Sequence, residues 1–157
     1  MDIDIRPLTP ALLEDYLYFF NNVAFTDHPE WSQCYCVHFH WNDRCEAEFE
    51  SGEKRGSDWA VQMILSGVIK GYLAYSDGKV VGWCNANDKR GYDLLRKRPE
   101  LWDDADQGSK TKAVVCFLVA PALRGRGIAS RLLQRACADA AGEGYDWIEA
   151  YPPAGAC

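Results

Sequence analysis

The stretch FLVAPALRGRGIASRLL, residues 117–133, hands an apolar strand to an amphipathic helix through a turn that contains two glycines. The strand side, AVVCFLVA (113–120), is apolar on both faces, as a central strand covered on both sides must be. On the helix side, Ile128, Ala129, Leu132, Leu133, Ala136, Cys137 and Ala140 fall within one half of a helical wheel at about 100° per residue. Between them, Gly125 and Gly127 let the backbone turn with its N–H groups pointing inward, and neither has a side chain to hold a ligand away. The helix N-terminus adds unpaired N–H donors and a partial positive charge. Arg124, Arg126 and Arg131 surround the same point with fixed positive charge. Together these make a pyrophosphate cradle. A bare glycine turn with solvent-facing arginines is the competing reading, and the strand before it and the helix after it favour the cradle. It is not a Walker A loop, since no Gly-Lys-Ser/Thr follows, and its glycine spacing is not that of a dinucleotide fingerprint.

Outward from this loop, Gly142 and Gly144 end the helix, and YDWIEAY (145–151) reads as a second strand stopped by Pro152-Pro153. A right-handed strand–helix–strand crossover makes the two strands parallel neighbours. Upstream, VIKGYLAYSDGKVVGWCNAN (68–87) is a β-hairpin, two apolar runs joined at Asp77-Gly78. Asp2 to Arg6 alternates as a short strand does. Thr9-Pro10 offers an N-cap and a first-turn proline to a helical stripe of Leu12, Leu13, Tyr16, Leu17 and Phe20. Residues 22–41 have no clean period and read as a loop with short structured pieces. A mostly polar stretch, 42–57, leads into a helix over DWAVQMILSG, in which Trp59, Met63 and Ile64 share a face and Gly67 is the stop. From Asp88 to Lys112 the chain is charged and aperiodic, with a helical turn at Tyr92 to Arg96. At about 25 residues this segment is a lid or a disordered surface loop.

The 157 residues suit one α/β domain over 1–157. Hydrophobic content of 48% with 25% charged residues is globular, and no apolar run approaches the roughly 20 residues of a membrane span. MDIDIRPLTP has neither a basic leader nor an apolar block, and seven cysteines without a secretion signal point to free thiols in a reducing cytoplasm. A net charge of −6 argues against general affinity for nucleic acid or an acidic membrane.

The loop and its setting resemble motif A of the GNAT superfamily of N-acetyltransferases. That family's signature, Arg/Gln-x-x-Gly-x-Gly/Ala, is filled by Arg124, Gly127 and Ala129, and the order of elements before it also matches. The resemblance covers Asp2 to Tyr151. It implies a mixed, mostly antiparallel sheet flanked by helices, with a parallel central strand pair splayed to admit acyl-CoA. It also implies acetyl-CoA as co-substrate, its pyrophosphate on the backbone of Arg124, Gly125, Arg126, Gly127, Ile128, Ala129 and Ser130. The pantetheine would run along Phe117, Leu118 and Val119 like an added strand, and the oxyanion donor would be a backbone N–H, that of Leu118 or Val119. The expected reaction is direct attack by a primary amine of a small molecule or peptide within a ternary complex. Glu149 is the first candidate for the base, as a carboxylate in an otherwise apolar strand beside the splay, and a charge paired with a basic neighbour is its bland alternative.

Family members continue past this strand to further strands, from which a tyrosine often protonates the leaving thiolate. The C-terminal strands are thus expected to be absent or truncated here, with Tyr151 as a substitute acid. A bare strand at 145–151 would be covered by homodimerisation through that edge or by a missing tail.

QCYCVHFHW (33–41) places Cys34, Cys36, His38 and His40 on alternate positions, which share one face of an extended segment. In a GNAT layout this stretch, with Trp31 and Trp41, forms the acceptor wall. Three readings compete: a zinc site, a redox pair, and a packed wall in which the cysteines are small buried groups and one histidine, His40, orients or deprotonates the amine. The wall is favoured and no metal is expected, because strict alternation strings four ligands out instead of converging them and Cys-x-Cys lacks the usual redox spacer. The alternative to an enzyme is a sensor domain that binds acyl-CoA without turnover, with zinc at this cluster.

Overall fold

The hairpin at 68–87 seeds the sheet of the computed structural model, which describes residues 1–102 and 108–151. β2 (Gly71–Ser76) and β3 (Lys79–Asp88) pair antiparallel across Asp77 and Gly78. Both turn residues have positive φ, 50° and 75°, the twist that a two-residue hairpin requires. β1 (Asp4–Pro7) adds to β2, and β4 (Thr111–Val119) adds to β3, both antiparallel. β5 (Trp147–Ala150) joins β4 in parallel, so the order is β1-β2-β3-β4-β5. The crossover between the last two strands is α5 (Ile128–Gly142). This is the mixed sheet with one parallel pair that the sequence implied.

Helices cover both faces. On one, α1 (Leu13–Asn22) and α3 (Gly56–Leu65) bury Tyr16, Phe19, Phe20, Trp59 and Ile64 against Leu73, Tyr75 and Trp83. On the other, Ile128, Leu132 and Ala136 of α5 pack on Tyr72, Ala74, Cys84 and Val114. The buried stripe of α5 is narrower than the wheel suggested, since Leu133 and Cys137 are exposed. Among the described residues no helix is long and apolar enough to cross a membrane.

Two local readings change. Thr9 makes no side-chain cap; Pro10–Leu12 forms a 3₁₀ turn and α1 proper starts at Leu13. The polar stretch after Trp41 contains α2 (Asp43–Glu50), which lacks an apolar stripe because Cys45 is its one buried residue. Its start is fixed by Asn42, whose Oδ1 accepts from the Cys45 N–H at 3.0 Å, and its exposed side carries an Arg44–Glu48 pair at 2.8 Å. Asn42→Ala should therefore lower unfolding free energy by about 1 kcal/mol, measurable by urea denaturation. The 88–112 segment begins with a 3₁₀ turn at Lys89–Gly91 and a short α4 (Asp93–Arg96), as its one helical signal suggested. The rest of the lid reading at 103–107, and the Pro152-Pro153 stop with the tail beyond it, lie outside the described residues.

What positions the site is a bulge. Asn85 pairs with Cys116 and Ala86 with Val114, which leaves Val115 extra in β4. A bulge bends its strand and increases local twist. β5 follows β4 only from Thr111↔Trp147 to Val114↔Ala150, so the two strands part where the bulge sits. The first half of β4, through Val114, is buried as a central strand should be, whereas Val115 to Val119 are only partly covered.

Candidate active site

Past the bulge, no strand among the described residues pairs with the outer edge of β4. The Ala120 N–H donates to Val81 O at 2.8 Å, and antiparallel ladders alternate. Leu118, two pairs further back opposite Trp83, therefore directs its N–H at β3, and Phe117 and Val119 direct theirs to the side that β5 has left. Of the two N–H groups offered for the oxyanion, Val119's faces the opening and Leu118's does not.

The edge leads into the glycine turn. Pro121–Leu123 makes a 3₁₀ turn, Gly125 and Gly127 take φ of 77° and 82°, and Gly127 is the left-handed N-cap of α5. Arg131 N–H is the first to bond back, to Gly127 O at 3.1 Å, so the N–H groups of Ile128, Ala129 and Ser130 precede the helical ladder. A Cβ built on Gly125 or Gly127 would meet nothing within 4 Å, so the space above the turn is open. Arg126 and Arg131 are exposed beside it. Arg124 is engaged instead: its guanidinium donates to Asp27 at 2.5 and 3.3 Å, and that hydrogen bond holds the Asp27 carboxyl below its ordinary range.

On the α1 face, a cleft of about 540 Å³ has Cys116 and Leu118 of β4 as its floor. Phe25, Trp31, Trp41 and Phe49 supply its aromatic walls, with Cys34, Glu30, Gln33 and His38 between them. The alternation expected of residues 34–40 fails here because the segment is not extended. Tyr35 and Cys36 have φ of 41° and 56°, and His38–His40 is a 3₁₀ turn. The Tyr16 hydroxyl donating to Tyr35 O at 2.5 Å and the Tyr35 hydroxyl donating to Asn21 Oδ1 hold that reversal in place. Cys34 and His38 consequently face the cleft, while Cys36 and His40 are buried.

His40, the histidine chosen from sequence, stacks on Tyr92 at 4.9 Å between centroids and donates from Nδ1 to Gly91 O at 2.9 Å. It does not line the cleft; His38 does. His38 stays exposed to solvent, and partial desolvation by the cleft lowers its pKa below 6.5, so its imidazole is neutral at neutral pH and able to accept a proton. Burial raises Cys34 to about 11, which keeps it a thiol. The Cys116 thiol and Asn85 Nδ2, the latter at 3.2 Å, bond to Cys36 beneath the floor. Among the described residues, no three His, Cys, Asp or Glu side chains converge as metal ligands would.

Glu149 pairs with Ala113, one pair before the last at Val114↔Ala150. Its Oε2 accepts from Lys89 Nζ and from the Tyr151 hydroxyl, each at 2.8 Å, so the carboxylate is paired with a basic neighbour. Burial, reinforced by Glu149, pushes the Tyr151 pKa up. Tyr151 keeps its proton, but aims it at Glu149.

Residues 27–153 match the acetyltransferase (GNAT) family. Comparison with curated protein sequences gives no match. Solved structures share the fold at low identity. A ribosomal-protein-alanine N-acetyltransferase from Brucella melitensis biovar Abortus 2308 is 16% identical over 98% of this chain and 82% of that one, with a TM-score of 0.56. An aminoglycoside acetyltransferase from an uncultured soil metagenomic sample is 22% identical over 99% and 82%, with a TM-score of 0.58. The aminoglycoside N-acetyltransferase AAC(6')-Iy, solved with CoA, is 16% identical over 98% and 78%, with a TM-score of 0.55. With a family match over most of its length and a sheet opened at β4, the chain belongs to the acetyltransferase (GNAT) family and is an acetyl-CoA-dependent N-acetyltransferase.

Proposed function

We propose that the chain transfers acetyl from acetyl-CoA to a primary amine by direct attack, with both substrates bound at once. The observation that carries this reading is the junction at β4. Its outward edge at Phe117 and Val119 runs into the glycine turn on one side, and its Cys116 and Leu118 floor the aromatic cleft. A thioester laid along that edge would present its carbonyl at the cleft floor. Pyrophosphate would sit on the N–H groups of residues 125–130, helped by Arg126 and by Arg124 once it exchanges Asp27 for phosphate. The Val119 N–H would meet the developing oxyanion.

In the reaction the amine nitrogen bonds to the acetyl carbon and the C–S bond breaks. The nitrogen loses a proton to a base, and the departing thiolate of CoA takes one up. His38 fits the base: it is neutral, lines the cleft and lies on the amine's side. Glu149, Lys89 and Tyr151 form a linked set at the end of β5, in which Glu149 is the positioning group and Tyr151, which keeps its proton, is the candidate donor to the thiolate. Released CoA measured with a thiol reagent, over a grid of acetyl-CoA and amine concentrations, tests this. Intersecting lines in a double-reciprocal plot support the ternary complex, and parallel lines overturn it.

The His38 assignment carries its own pH dependence. Protonated His38 cannot accept a proton, and its folded pKa lies below 6.5, so activity is complete above that value and lost as pH falls through the lowered pKa. At saturating amine, kcat should show an acid limb below pH 6.5. His38→Gln should lower kcat about 100-fold at pH 7.5 and remove the limb. An unchanged limb in the variant would assign it to another group and overturn His38 as the base.

A further inference from the structure

We infer that the acceptor is a monoamine carried on one aromatic or apolar body, and not a polycationic sugar or polyamine. This rests on the proposed function, because it takes the cleft above Cys116 and Leu118 as the place where the amine binds.

The argument begins with what the cleft can desolvate. Its volume, about 540 Å³, is within the roughly 300–1,000 Å³ of small-ligand pockets. Its lining is mostly apolar, with Phe25, Trp31, Trp41, Phe49 and Leu118 among the residues that form it. Trp31 is 52% exposed, the most exposed aromatic ring in the cleft, and it stands at the rim held flat against His28 at 4.1 Å. An apolar ring supported from behind and open in front is suited to a flat ligand face.

Charge sets the number of amines. Among the described residues, Glu30 is the one carboxylate in the cleft lining. Its hydrogen bond with His28, at 3.0 Å, lowers its pKa, so it is ionised at neutral pH. One carboxylate can steer one ammonium group inward, after which His38 can take its proton. A ligand with several ammonium groups would leave the others against Trp41, Phe49 and Leu118, where desolvation without a partner is unfavourable. A monoamine with a ring gains instead, and burying an aromatic ring is worth a factor of roughly ten to a hundred in binding.

The test uses the full chain with acetyl-CoA and four acceptors: 2-phenylethylamine, tryptamine, ethanolamine and kanamycin. The two aromatic amines should exceed ethanolamine and kanamycin in kcat/KM by about 30-fold or more, carried mainly by KM. Trp31→Ala should reduce that ratio about tenfold, and Trp31→Phe should restore most of it. Kanamycin or ethanolamine turned over as well as the aromatic amines would overturn the inference and leave acetyl transfer standing. An aromatic preference unaffected by Trp31→Ala would show that the amine binds elsewhere, and would overturn the cleft assignment. If no acceptor releases CoA and calorimetry on the CoA-loaded protein detects no aromatic amine, both the inference and the reading beneath it fail.

Discussion

Gly127→Asp should weaken acetyl-CoA binding about 100-fold, measured by calorimetry on the folded protein. Gly127 is the left-handed N-cap of α5 at φ 82°, and a Cβ there would point into open space and not into the protein. That open space is where the pyrophosphate must lie if the free N–H groups of Ile128, Ala129 and Ser130 are to reach it. A carboxylate placed there competes for those same donors and repels the incoming phosphates. Gly127→Asn separates charge from backbone strain, since asparagine tolerates left-handed φ and matches aspartate in size. It should lose about tenfold. Equal losses in both variants would assign the effect to shape alone, and wild-type affinity in Gly127→Asp would remove the cradle from this loop.

Gly71→Ala should lower stability by about 3 kcal/mol, at the upper end of what overpacking costs. Gly71 opens β2, and a Cβ there would stand 2.0 Å from Cys84 O and 2.7 Å from the Trp83 ring. The first contact is backbone, which cannot swing aside, and the second is one of the largest fully buried side chains. Relief requires β2 to move off β3, which carries the whole pairing of β4. Thermal unfolding should fall by roughly 6–12 °C in a chain of this size. Gly142→Ala is the control: a Cβ there meets nothing within 4 Å and φ is ordinary, so alanine in that last helical position should be neutral or slightly stabilising. A Gly71→Ala midpoint within 2 °C of wild type would show that the strands accommodate the methyl group (about 1 kcal/mol or less).

The elements were legible because each is written locally. Two apolar runs and Asp77-Gly78 specify the hairpin, and two consecutive residues of positive φ at 50° and 75° confirm the turn chemistry. The apolar run through Val119, the glycines at 125 and 127 and the row Ile128, Leu132 and Ala136 specify strand, turn and helix, and handedness makes β5 parallel to β4. α2 escaped because a surface helix with one buried residue has no apolar period to read.

The site is where locality ends. Nothing in AVVCFLVA marks Val115 as the extra residue, because a bulge is decided by the pairing of two strands and not by either alone. That bulge opens the sheet and selects Val119 over Leu118 to face the opening. Alternation in QCYCVHFHW put His38 and His40 on one face, but Tyr16 and Asn21 on α1 hold Tyr35 so that the chain reverses at Cys36, and only His38 reaches the cleft. Glu149 found Lys89, 60 residues earlier, and Arg124 found Asp27, 97 residues earlier. The glycine turn and the helix start after it were readable from the chain alone, since strand end, glycines and first helical turn lie within a dozen residues. Which side chains line the cleft was settled by the fold, because Trp31, His38 and Phe49 reach Cys116 and Leu118 only when distant segments close over the core.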